Sequence, residues 1–312
     1  MNTPFNSMIG QEDMKRKLMF YLDGYKKTSM IPNFLFVAER GCGKTMAAIE
    51  IAKNLIVETG KPKRAKEINC STLKSVSQFA EQVLLPFVQD NDCTILFDEA
   101  SELPRDLTMS LLTMLNPNSN NRNTFNFDDM TFEIDFKRHS FIFCTTEPQK
   151  IFHALMSRLH RVDFDDYKDV ELMEIVKKNI EKNSTIKFTA AVSTEIPTVL
   201  RHNPRCAQML ANDIISYCSQ NQIKEFDAAD WSAMKQQLGI KPMGLNSSEI
   251  KVLKILKNNP KCRLTDIGAK LGMTASAVQR DIEIFLLRNN LIKVNGGRCL
   301  TEIGEKYLKE LV

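Results

Sequence analysis

Lys44 and Thr45, preceded by Gly41, Cys42 and Gly43, have the types and order of a phosphate-gripping loop. In such a loop the backbone N–H groups turn inward toward phosphate oxygens, the lysine reaches the β and γ oxygens, and the hydroxyl that follows ligates Mg²⁺. A helix starting here adds its positive end, so Gly41, Cys42, Gly43, Lys44, Thr45 and Met46 are the expected nucleotide-binding residues. One position departs from the pattern G-x-x-x-x-G-K-[ST]: its first glycine is Ala38.

Asp98 and Glu99 form the second chemical element, closing the apolar run Thr94 to Phe97. A buried parallel strand of this kind delivers its last residues to the sheet edge where ligands bind. Asp98 is then expected to hold the Mg²⁺ with Thr45, and Glu99 to orient and deprotonate the attacking water. A third apolar run, Ser140 to Cys144, ends in two hydroxyls, of which Thr146 is expected to position that water. Arg158, in Met156-Ser157-Arg158-Leu159, is either a plain surface arginine or a group that reaches a neighbouring subunit's site. Arg205 follows Pro204 on a first helical turn, where it is either a surface residue or a contact to the γ-phosphate of the same subunit.

The elements that must position these groups can be read around them. An apolar strand, Phe34 to Val37, precedes the loop, and a helix from Met46 to Asn54 follows it. Met8-Ile9-Gly10-Gln11 opens a helical pattern reaching about Lys27, and is either an ordinary helix N-terminus or a segment that walls the adenine pocket with Ile9. A basic connector at 61–66 leads to a short strand at 67–70, a helix at 75–87, and a further helix from Pro104 to Leu115. Residues 124–136 alternate apolar and polar on both sides of Asp128-Asp129-Met130, which predicts a β-hairpin with a phenylalanine-rich face. That face is either core or an apolar docking site for a partner protein. Helical runs at 165–182 and 190–220, broken at His202-Asn203-Pro204, predict a small all-α domain ending near Pro242.

The 312 residues allow two or three domains. With 43% apolar and 26% charged residues, and no apolar run near the ~20 residues of a membrane span, the composition is that of a soluble protein. No basic stretch followed by an apolar core opens the chain, so a cytoplasmic location is expected. The eight cysteines stand singly, without the paired spacings that hold zinc, and read as reduced thiols.

The net charge of +4 is unevenly spread: residues 244–312 hold 12 Lys and Arg against 7 Asp and Glu. That basic segment contains three amphipathic runs, 247–258, 264–271 and 275–289, then two short strands around Asn295-Gly296-Gly297-Arg298. The order predicts a helix-turn-helix with a β-wing, which serves either DNA or protein docking. As a DNA reader it presents Thr274, Ser276, Gln279 and Arg280 to a groove, with Lys293 and Arg298 on the wing.

In order and spacing, Lys44-Thr45, Asp98-Glu99, Thr146, Arg158 and Arg205 resemble the Walker A, Walker B, sensor 1, arginine finger and sensor 2 positions of an AAA+ ATPase. Met8-Ile9-Gly10-Gln11-Glu12, Asn203-Pro204-Arg205, Gly244-Leu245 and Gly297-Arg298 narrow the resemblance to the RuvB family of branch-migration motors. The resemblance implies an α/β fold: an AAA+ core with a parallel sheet at 1–164, a helical lid at 165–243, and a winged helix at 244–312. It further implies ATP and Mg²⁺ as cofactors, a homohexameric ring on duplex DNA and four-way junctions, and a RuvA-type partner docked on the 124–136 hairpin. Arg158 would complete the neighbour's ATP site, and Arg205 would turn hydrolysis into lid movement. The run Cys144 to Lys150 with Ser157-Arg158 also resembles clamp-loader ATPases, although a winged helix stands where their collar would be. A DNA-binding regulator that uses ATP as a conformational ligand is the other class, and the presence of Glu99 argues for turnover instead. A sequence-specific transcription factor fits less well, since a modest positive charge suits phosphate-dominated binding.

Overall fold

The computed structural model describes residues 4–310. By their contacts they form two units: residues up to Lys187 with His202–Lys224, and Phe188–Arg201 with the residues from Glu225 onward.

The first unit is built on a five-stranded parallel sheet. Its strands are β1 (Phe34–Val37), β2 (Arg64–Asn69), β3 (Cys93–Asp98), β6 (His139–Thr145) and β7 (His160–Asp163), in the order β2-β3-β6-β1-β7. β6 is buried along its whole length and β3 along all but its last residue, which is why both read as apolar runs without alternation. Phe97 and Phe143 stack across them, with ring centroids 4.4 Å apart. Register sets the functional edge. Val37 lies opposite Thr145 and Phe97 opposite Phe143, so the phosphate loop and Asp98 leave the sheet at nearly one level.

Helices cover both faces of the sheet. α1 (Glu12–Thr28) and α2 (Lys44–Asn54) enclose a core with Leu18, Leu22, Phe34, Phe36 and Ile51. α3 (Val76–Phe79) and α4 (Arg105–Met114) cover the other face with Phe79, Phe97, Leu107 and Leu111. α1 starts later than its sequence pattern, because Gly10 and Gln11 have left-handed φ of 64° and 62° and cannot enter a helix. Past α3 the expected helix continues as a π-helix, Ala80–Val88, with Pro86 inside it. Proline has no N–H to donate, which favours such a shift of the ladder.

The hairpin is β4 (Arg122–Phe127) paired with β5 (Met130–Asp135), and its phenylalanine-rich face is core. Phe125, Phe132 and Ile134 are buried against Phe79 and its neighbours, while Thr124, Asn126, Thr131 and Glu133 face solvent. Of its apolar residues, only Phe127 and Met130 at the turn keep appreciable exposure. α5 (His153–Met156) and α6 (Asp169–Glu181) follow, and α6 packs on α8 (Pro204–Asn221) through Leu172, Val176, Ala207, Ala211 and Ile214.

The second unit joins α7 (Ala190–Glu195), a 3-10 turn at Ile196–Val199 and α9 (Ala228–Leu238) to the C-terminal elements. The run expected as one helical lid is therefore shared between the units. The two-residue strands β8 (Lys187–Phe188) and β9 (Glu225–Phe226) mark two of the crossings. α10 (Ser247–Asn258), α11 (Leu264–Leu271), α12 (Ala275–Val278) and α13 (Ile284–Arg288) surround Val252, Leu253, Ile267, Val278 and Leu286, with a π-helical turn at Gln279–Glu283 between the last two helices. The wing is β10 (Ile292–Val294) and β11 (Arg298–Leu300), closed by three residues including Gly296 at φ 63°. α14 (Glu302–Glu310) completes the fold.

Candidate functional site

The loop at 38–45 follows β1, and its backbone explains which glycines it needs. Gly41 and Gly43 have φ of 82° and 89°, the left-handed region that a side chain disfavours. Ala38 is not among the residues of positive φ; its N–H continues the sheet pattern toward the Thr145 carbonyl, so a Cβ is tolerated there. At Gly41 a Cβ would also meet Asn203 Oδ1 at 2.5 Å. That approach lets Asn203 Nδ2 donate to the Arg40 carbonyl at 2.9 Å while Asn203 Oδ1 caps α8 by accepting from the Arg205 N–H. The start of α8 is thus docked on the phosphate loop.

Lys44 Nζ donates to the carbonyls of Ala38 and Glu39 at 2.8 and 2.9 Å. Burial lowers its pKa, with Cys144, Cys42 and Asp98 pulling it back up and Arg205 pushing it further down. An anion brought beside this partly desolvated ammonium would gain strongly from it. Asp98 ends β3, and its Oδ1 accepts from the Glu99 N–H at 3.0 Å. Glu99 turns away from the strand at φ 52°, and its Oε1 lies 3.6 Å from Arg40 Nη2. Thr145 is buried and its Oγ1 accepts from the Glu147 N–H; the next residue, Thr146, is exposed.

One cleft of about 410 Å³ brings these groups together. Ile9, Gly41, Gly43, Lys44, Thr45, Met46, Asp98, Glu99, Thr146, Pro204 and Arg205 all line it. Two expected residues lie elsewhere. Cys42 is buried without lining the cleft, and burial raises its thiol pKa, so it stays a neutral, inert group. Arg158 is half-buried just past α5, with Nε donating to Leu112 O, Nη1 to Ala154 O and Nη2 to Asn116 Oδ1. It is not the free surface arginine suggested by its position.

The cleft also contains residues with no motif to announce them. Ile175, Lys178, Asn179 and Lys182 form one stripe of α6 and its end, legible only as helical spacing. Tyr167, whose pKa burial pushes up to about 12, lines the same wall, and Arg40 stands at the mouth between loop and carboxylates. A metal held jointly with a nucleotide fits this donor set. The Thr45 hydroxyl and the Asp98 carboxylate share the cleft, whereas no group of three or more His, Cys, Asp or Glu among the described residues forms a cage of its own.

On the winged helix, Thr274, Ser276, Gln279, Arg280 and Lys293 are exposed. The Thr274 hydroxyl caps α12 by accepting from the Ala277 N–H. Arg280 pairs with Asp281 at 2.7 Å. Arg298 differs from expectation: it is drawn back onto the buried Glu283, Nε to Oε1 at 2.5 Å, because a carboxylate buried there needs a counter-charge.

Residues 34–168 match the family described as ATPase family associated with various cellular activities (AAA), and residues 242–309 match the RuvB C-terminal winged helix domain. The chain is 24% identical to the Holliday junction branch migration complex subunit RuvB of Mycoplasmopsis pulmonis, covering 98% of this chain and 96% of that one. It is 25% identical to the protein of the same name from Campylobacter jejuni subsp. doylei, over 93% and 85% of the two chains. Among solved structures it is similar to the Thermotoga maritima RuvB Holliday junction branch migration motor, with TM-score 0.80, 22% identity, and 99% and 97% of the two chains covered. That structural likeness carries the fold: an α/β core followed by a winged helix.

Proposed function

We propose that this chain, a RuvB-type AAA+ ATPase in its domains and fold, is an ATP-dependent DNA motor that drives Holliday junction branch migration. The observation that carries the reading is a single cleft holding Lys44, Thr45, Asp98, Glu99, Thr146 and Arg205, on a chain that ends in a RuvB-type winged helix.

In this reading ATP lies with its phosphates along residues 41–45 and its base toward Ile9 and the α6 stripe. Lys44 exchanges its loop carbonyls for β and γ oxygens. Thr45 and Asp98 would hold a magnesium ion, which would supply positive charge against the phosphates. Glu99 accepts the proton of the attacking water, and Thr146 holds that water in line. Arg205 reads the γ-phosphate from the same subunit and passes its loss to α8. Arg158 serves the site of the next subunit in a homohexameric ring, so the 1–164, 165–243 and 244–312 segments act as motor core, lid and DNA-binding domain. Because Phe125 and Phe132 of the hairpin are core, a RuvA-type partner is left the turn with Phe127 and Met130.

The test is steady-state ATP hydrolysis with no DNA, with linear duplex and with a synthetic four-way junction, each with and without a RuvA-type protein. Stimulation greatest with junction and partner together supports the motor. Tight nucleotide and DNA binding with turnover flat and near zero sinks it in favour of an ATP-gated regulator.

A further inference from the structure

Of the three cations expected on the recognition side of the winged helix, two are matched by acids, and Lys293 stays exposed on the wing. Arg280 pairs with Asp281, and Arg298 with the buried Glu283. A larger cluster of positive charge collects on a different face. A groove of about 370 Å³ runs between α10 and α11, lined by Lys251, Lys254 and Lys270 with Asn258 and Asn259. Residues 251, 254 and 258 lie on one stripe of α10, and Lys270 faces them from α11. All three lysines are exposed, and none has an ion-pair partner among the described residues. No acid lines the groove. Asp266, one turn before Lys270, instead accepts from the Arg263 N–H at the start of its own helix.

We propose that this α10/α11 groove binds the phosphate backbone of duplex DNA through Lys251, Lys254 and Lys270. Flexible lysines bind phosphates as point charges, and three of them converging on a concave, acid-free surface complement one turn of a phosphate track. Asn258 adds amide donors of the kind that contact phosphate and sugar. Such contacts hold a duplex without reading its sequence, which suits a motor that must pass over any sequence. The inference rests on the DNA-motor reading and adds a second face of the winged helix to the one expected to meet the duplex.

The test uses the full chain and a fluorescein-labelled linear duplex of mixed sequence, with affinity measured across a salt series. Each lysine that releases a counterion contributes about 0.9 to the slope of log K against log salt. The triple variant K251Q/K254Q/K270Q is expected to lose between two and three units of slope, roughly, and to bind at least about tenfold more weakly, with DNA-free ATP hydrolysis unchanged. The single variant K254Q is expected to lose about one unit. R280Q, whose charge Asp281 already matches, is expected to lose less than K254Q. A wild-type slope in the triple variant overturns the groove alone. A larger loss in R280Q than in the triple variant returns the footprint to the recognition helix and also overturns it. Absence of salt-dependent duplex binding by the wild-type chain overturns both the groove and the motor reading.

Discussion

Arg201 grips the Glu249 carboxylate with both of its terminal nitrogens, Nη2 to Oε1 at 2.7 Å and Nη1 to Oε2 at 3.1 Å. The Glu249 side chain is 0% exposed, and the guanidinium lies 3.6 Å from the Phe285 ring centroid. Glu249 also closes the capping box of α10 with Asn246. The pair fastens the segment after α7 to the winged helix. At the next residue the chain passes to the other unit, through left-handed φ at both Arg201 and His202. Removing one partner strands a buried charge, so Arg201→Ala or Glu249→Ala is expected to cost about 3 kcal/mol or more. The double variant R201M/E249L should recover most of that loss. Urea unfolding followed on the second unit checks this, and additive losses in the double variant would refute it.

Glu99 is expected to be needed for turnover and not for binding. Glu99→Gln keeps the shape and loses the base, so ATP binding should persist while hydrolysis falls by roughly 10²- to 10⁴-fold. An unchanged rate would remove Glu99 from its role. Its 3.6 Å contact with Arg40 is exposed and worth well under about 1 kcal/mol. Arg40→Ala should therefore leave stability alone and raise DNA-free turnover by no more than about fivefold.

Arg158 separates action within a subunit from action on its neighbour. Its three hydrogen bonds tie it to α4, Asn116 in the loop after α4, and α5, away from the cleft of its own subunit. Arg158→Ala should lower turnover by at least about 10³-fold. In equimolar mixtures of Arg158→Ala with Glu99→Gln, each inactive alone, turnover should reappear, since an Arg158→Ala subunit keeps its own carboxylates and takes the arginine of a Glu99→Gln neighbour. No recovery in the mixture would refute action on the neighbour's site.

Alkaline stability carries a signed prediction. Cys93 is buried at the start of β3, and burial pushes its pKa from 9.0 up to about 12. Above pH 9 the unfolded thiol ionises while the folded one does not, so stability present below pH 9 is lost progressively as pH rises toward 12. The thiol contributes a slope of about 1.4 kcal/mol per pH unit in that window. Cys93→Ala should flatten the fall by that amount in denaturant melts. Lys63 works in the opposite sense: burial lowers its pKa from 10.5 to about 8, and the resulting penalty fades between those values. An identical alkaline slope in wild type and Cys93→Ala would refute the assignment.

By itself the sequence determined whatever depends on local order. The strand, glycine turn, lysine and helix at 34–54 are contiguous, and the apolar run before Asp98 declares a buried strand without its neighbours. The helix and wing boundaries near the C-terminus are legible for the same reason, because period and turn chemistry are properties of short stretches. Only the tertiary structure decided what depends on a distant partner. It showed that Ala38 adds no left-handed strain to the loop, where that strain falls on Gly41 and Gly43. It turned Phe125 and Phe132 of the hairpin into the core with Phe79, and it drew Arg298 onto Glu283. It joined Arg201 to Glu249 across 48 residues of chain. A side chain's type announces that it will seek a partner; which partner it finds, and so whether its charge or apolar surface is left for function, is set by packing between segments far apart in sequence.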